Sequence, residues 1–199
     1  KEYMATKVVG DVELTVEFDK GNTARYIIEV KDTTPQELKV TSSAFDDGQT
    51  IPDKYCLNGS QPNGYTILNA QNISIPLTWT GHVENVKSYV IVMHDEHDWA
   101  DNWVHWAVVD IPEDITSIQE GVSNIGIELK NSFGAGGYGG PKPPQGSGSH
   151  EYAITVYALD VDSIDISYDE NSYIYYQNIM RAMQGHVLKE ATIKGKYEK

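Results

Sequence analysis

Three short apolar runs and one stretch of helical period predict a mostly β protein with a single helix near its C-terminal end. Ser88–Met93, Val104–Ile111 and Tyr152–Leu159 are brief and rich in β-branched and aromatic residues, the character of central strands. From Ser172 to Gln184 the residues Tyr173, Tyr176, Ile179, Met180 and Met183 recur at helical spacing instead. Ser172 is placed to cap the first turn and Gly185 to stop the last. At 199 residues the chain is long enough for a sizeable core, and length favours one main domain.

Taken in order, Val8–Phe18 and Arg25–Val30 alternate apolar and polar residues around Asp19-Lys20-Gly21-Asn22, the pattern of a hairpin with one wet face. Residues 1–37 are read as a hairpin extension packed on the domain of residues 38–199, adding strands to a sheet edge. Asp32–Glu37 is a turn-rich joint containing Pro35, and Leu38–Ser43 reads as the domain's first strand. From Phe45 to Asn69 the chain is polar and broken by Gly48, Pro52, Gly59, Pro62 and Gly64, which predicts a long ordered loop covering the sheet.

Composition removes several function classes. The formal net charge of −14 argues against a nucleic-acid backbone or an anionic membrane surface as partner, although a small pocket can still hold one phosphate through local donors. No run approaches membrane-span length. Cys56 is the only cysteine, so no intramolecular disulfide forms and Cys56 is expected in the core. A start on Lys1 and the Asn, Ser and Tyr content lean weakly toward an exported protein with a leader or lipoprotein anchor removed, the alternative being a cytoplasmic one. The N-x-S sites at Asn58 and Asn72 read equally as structure, chance or glycan acceptors.

The stretch richest in chemical information is Gly134–Asp160, where a loop dense in glycine and proline runs into a strand and delivers His150 and Tyr152 to its end. Glycine lets backbone approach a ligand closely, while Pro141, Pro143 and Pro144 fix local shape. Upstream, Tyr89–Asp110 carries the His94-Asp95-Glu96-His97-Asp98 cluster and a strand beginning near His105. The His/Asp loop, the W-x-H-W strand and the Y-x-G-P-x-P-P-x-G-x-x-H-x-Y loop together resemble the phosphatidylethanolamine-binding protein family, in its prokaryotic Raf kinase inhibitor-like branch. Phe45–Tyr55, Asn72–Trp79, Asn131–Gly134 and Gly185–Tyr197 resemble family segments in the same order. The likeness covers about residues 40 to 199.

That resemblance implies a large central antiparallel sheet packed by a smaller one, with a C-terminal helix beside the pocket. It also implies a ligand pocket lined by Asp95, His105, His150 and Tyr152, with Tyr138, Gly140, Pro143 and Pro144 on its Gly/Pro wall. The implied ligand is a small phosphorylated or anionic head group of phosphoethanolamine type, bound without cofactor or catalysis. The residue chemistry agrees, because histidine, tyrosine and Gly-rich backbone supply the convergent donors a phosphoryl group needs. Asp95 would repel such a ligand, so its expected task is to bond an imidazole and favour the charged form, making anion binding strongest below about pH 6.5. Where the family has D-P-D-x-P, this chain reads Asp95-Glu96-His97-Asp98-Trp99, so Trp99 either walls the pocket or closes it.

Other readings stand beside this one. A protein-interaction module with a vestigial pocket would inhibit a kinase or protease, and an acidic surface suits a basic partner; a homodimer is a further option. His94, Asp95 and His97 invite a metal-assisted hydrolase, but in a strand the two histidines face opposite sides, so no metal is expected. Gly134–Gly139 matches G-x-G-x-x-G without the strand and helix a dinucleotide needs. Ser147 lies close to His150 but lacks the nucleophile-elbow motif. His82, His97 and His186 read as structural or surface residues, and Trp79, Trp103 and Trp106 as core.

Overall fold

The computed structural model describes residues 10–18, 22–30, 37–59, 65–122 and 124–199. The turn expected at 19–21, the joint at 32–36 and part of the long loop, 60–64, lie outside them. The chain divides into two compact units, Lys1–Pro35 and Gln36–Lys199. In the first, β1 (Gly10–Phe18) pairs antiparallel with β2 (Asn22–Val30), with Gly10 opposite Val30 and Phe18 opposite Asn22. The two strands form a two-stranded sheet.

The second unit runs β3 (Lys39–Thr41), a 3-10 turn at Asp53–Tyr55, β4 (Leu77–Thr80), β5 (Ser88–Asp95), β6 (Trp103–Pro112), β7 (Ser117–Ile118), β8 (Ile127–Glu128), β9 (Ser149–Leu159), α1 (Ser172–Ala182) and β10 (Val187–Glu198). Five strands form an antiparallel sheet in the order β10-β9-β5-β6-β8, and three form a second sheet in the order β3-β4-β7. The expected pair of sheets with one helix is therefore present.

All eight residues of β5 are buried. Alternation explains why: Tyr89, Ile91 and Met93 enter one apolar cluster with Trp79, Trp106 and Ile154, while Val90 and Val92 enter another with Tyr175 and Ile179. A strand covered on both faces loses its polar side and reads as a continuous apolar run. Each buried Val, Ile or Leu contributes about 1.5–3 kcal/mol, so the middle of this sheet is the main store of stability. The long loop covers the sheet as expected, with Phe45, Ile51, Tyr55 and Cys56 all buried in the first cluster.

The helix differs from expectation in four ways. Its cap is Asn171, whose Oδ1 accepts the Ile174 amide at 3.1 Å, and it ends at Ala182 rather than Gln184. Asparagine and serine cap about equally well, so the sequence leaves one residue of ambiguity. Its buried stripe is Tyr175, Ile179 and Met183, spaced by four, while Tyr173 is exposed. Finally, α1 packs on the Val90, Val92 and Val109 face and lends no side chain to the cavity described next, so it is not beside the pocket.

Candidate functional site

Strand register assembles most of the site. Asp95, the last residue of β5, is opposite Trp103 of β6 on one side and Tyr152 of β9 on the other. Between Met93–Trp106 and His94–Val104 the register slips by one residue, leaving His105 unpaired as a bulge. A bulge re-aims a side chain. Here the His105 ring stands edge-on to Tyr152, 5.1 Å between centroids. These residues enclose a cavity of about 240 Å³ with His150, Trp99, Ala100, Phe133, Lys142, Pro143 and Pro144.

Asp95 holds an imidazole, as expected, that of His150. Its Oδ2 lies 2.6 Å from His150 Nδ1, and its Oδ1 accepts the His97 amide at 2.9 Å. The second bond fixes the turn at the position where the resembled D-P-D-x-P motif has a proline. On the far side, His150 Nε2 lies 2.8 Å from Ser147 Oγ, which also donates to the Pro144 carbonyl at 2.6 Å. Ser147 Oγ is thus within hydrogen-bond distance of both the Pro144 carbonyl and His150 Nε2, and the chain Asp95–His150–Ser147 ties the end of β5 to the proline loop.

His105 is held differently. Its Nδ1 lies 2.6 Å from the Gly139 carbonyl, and its own carbonyl accepts the Gly139 amide at 2.8 Å. Burial lowers its pKa from the usual value, so it stays neutral more readily than a free histidine. Burial, aided by the Asp95 charge, pushes the Tyr152 hydroxyl far above its ordinary range and keeps it a proton donor. That hydroxyl and the Trp103 indole Nε1–H are buried and have no partner among the described residues.

Two expected wall residues pack against the long loop instead. Tyr138 and Gly140 do not line the cavity. Tyr138 donates its hydroxyl to the Tyr55 carbonyl at 2.9 Å, and a Cβ on Gly140 would sit 1.9 Å from the same carbonyl oxygen. Asn72 clamps the pair: Nδ2 donates to Tyr138 O at 3.1 Å and Oδ1 accepts the Gly140 amide at 2.8 Å. With both amide atoms committed, Asn72 is structure rather than a glycan acceptor. Pro143 and Pro144 do line the cavity.

Sequence reasoning missed Trp103, taken for core, while His97, read as structural or surface, takes a structural place. His97 stacks on His150 with centroids 3.9 Å apart, and its Nδ1 accepts the Trp99 amide at 3.2 Å. Trp99 is 73% exposed and stands at the rim, so it walls the cavity without closing it. His94 turns to the helix face, its ring 4.5 Å from Tyr176, and among the described residues no three His, Cys, Asp or Glu side chains converge on a metal position.

The family model described as phosphatidylethanolamine-binding protein matches residues 41–198. The chain belongs to this family. A relative from Methanothermobacter thermautotrophicus, a UPF0098 protein, is 32% identical over 168 residues, covering 81% of this chain and 99% of its own length. Two solved family structures share the fold. Escherichia coli YbcL, described as a new member of the mammalian PEBP family, superposes with a TM-score of 0.67 at 26% identity, covering 82% of this chain and 99% of YbcL. The putative family homolog CT736 from Chlamydia trachomatis gives 0.64 at 28%, covering 82% and 98%. The family match begins within β3, so it takes in both sheets of the second unit and leaves out the β1–β2 hairpin.

Proposed function

We propose that the second unit binds a small phosphorylated or similar anionic head group in the cavity, non-covalently and without a cofactor. One observation carries this reading: Tyr152 and Trp103 line one cavity, and each carries a buried donor, O–H and Nε1–H, without a partner among the described residues. An unmet buried donor costs about 1–3 kcal/mol, which a ligand oxygen would recover. Asp95, His150 and the proline loop hold the surrounding wall. Titration calorimetry with phosphoethanolamine tests it, with Tyr152→Phe as the control that removes one donor and keeps the ring. The expected loss is about tenfold, the worth of one hydrogen bond. Equal affinity in the variant would contradict the assignment.

A second reading is favoured by the aromatic rim, where Trp99 is 73% and Phe133 37% exposed. Such a rim can anchor a protein partner, and the charge of −14 suits a basic one, as an inhibitor of a kinase or protease would require. Only this reading survives if phosphoethanolamine fails to bind.

A further inference from the structure

Resting on head-group binding in this cavity, we propose that the site selects the protonated monoanion of a phosphate monoester, the ligand's P–O–H donating to Nε2 of His105. The argument begins at the other nitrogen. His105 Nδ1 lies 2.6 Å from the Gly139 carbonyl, an oxygen that can only accept, so Nδ1 carries the hydrogen. A neutral ring then carries its lone pair at Nε2, and His105 lines the cavity. The cavity therefore offers one acceptor at His105 and donors at Tyr152 and Trp103. A ligand that fills all three needs an O–H beside its charged oxygens.

The groups facing His105 favour the same ionisation state. Asp95 of β5 is a carboxylate and lines the cavity; His150 and Tyr152 come from β9, and Lys142 from the proline loop. Lys142, the cavity's cation, already donates to the Gly59 carbonyl, and Asp95 is shared between His150 and the His97 amide. On the far side of β5, His94 adds no negative charge, and Phe133, edge-on to His105 at 5.5 Å, adds none either. A dianion would meet twice the Asp95 repulsion of a monoanion and would have no proton for Nε2. Burial of the ring works the same way, since charging His105 to meet a dianion carries a desolvation cost.

Methyl phosphate, dimethyl phosphate, methylphosphonate and sulfate separate the contributions. Methyl phosphate titrates near pH 6, dimethyl phosphate is a monoanion with no P–O–H, and sulfate is a dianion at every working pH. Calorimetry at about pH 5.5 and about pH 8 should find methyl phosphate at least ~10-fold tighter at the lower pH, while dimethyl phosphate and sulfate stay weak at both. For methylphosphonate, whose second ionisation lies higher, the pH midpoint should move up with the ligand. Sulfate affinity that rises on acidification by as much as that of methyl phosphate would mean that protein histidines carry the effect, and would overturn the proposal. So would methyl phosphate binding equally well at about pH 8, or dimethyl phosphate matching it at about pH 5.5. If no probe binds at either pH, head-group binding itself fails and this inference with it.

Discussion

His94 and Asp95 are neighbours on β5 that face opposite sides of the sheet, and each takes its chemistry from the side it faces. His94 is buried against Tyr176 with its Nδ1 unpartnered among the described residues, and burial lowers its pKa from 6.5 to about 4. The folded protein thus holds His94 neutral while the unfolded chain protonates near 6.5. Stability from this residue is complete above that pH and falls by about 3 kcal/mol as pH drops toward 4. His105 shifts in the same direction and adds to the acid slope. Urea midpoints across this range should fall, and His94→Phe, which keeps a ring against Tyr176, should flatten the fall; an unchanged slope would contradict the assignment. Asp95 has the opposite position, with both oxygens committed. Asp95→Ala leaves His150 without its carboxylate and frees the His97 amide, and is expected to cost about 3 kcal/mol by denaturant unfolding.

At the scale of elements, the proline loop is a rigid part because other segments hold it. Asn72, Tyr55 and Leu57 each bond it, the last donating its amide to the Pro141 carbonyl at 3.1 Å. Gly140→Ala puts a methyl into the Tyr55 carbonyl, so the loop must lift. The expected outcome is a clear drop in the urea midpoint together with loss of phosphoethanolamine affinity, and wild-type values for either would contradict the close packing. Much of this arrangement was legible. Asp95, His105, His150 and Tyr152 converge because each lies at the end of a strand whose apolar run is visible in the sequence. Tyr138 and Gly140 stand outside the cavity lining because a Gly/Pro motif marks a close approach without saying whether a ligand or the protein's own backbone approaches. The buried helix stripe was shifted for a related reason: tyrosines at 173, 175 and 176 offer two competing faces, and only the partner sheet chooses. Trp103 escaped notice because an indole reads as core unless its N–H is seen to lack a partner.

The molecule as a whole is acidic, and the site is built against that background from neutral donors and a single lysine. An anion-binding protein that relied on a lysine cluster would lose affinity with salt; one with a charge of −14 should not. Phosphoethanolamine affinity is expected to hold or rise as NaCl goes from ~10 to ~150 mM, and a steep fall would point to a cationic surface instead. The central claim is that the cavity's unpartnered donors receive a head group, and the Trp103 indole N–H reports on it directly. In a ¹⁵N-labelled sample near pH 6, titration with phosphoethanolamine should move the Trp103 indole resonance and the His105 ring signals while Trp79 and Trp106 stay still. No movement of the Trp103 indole at millimolar ligand would contradict the account.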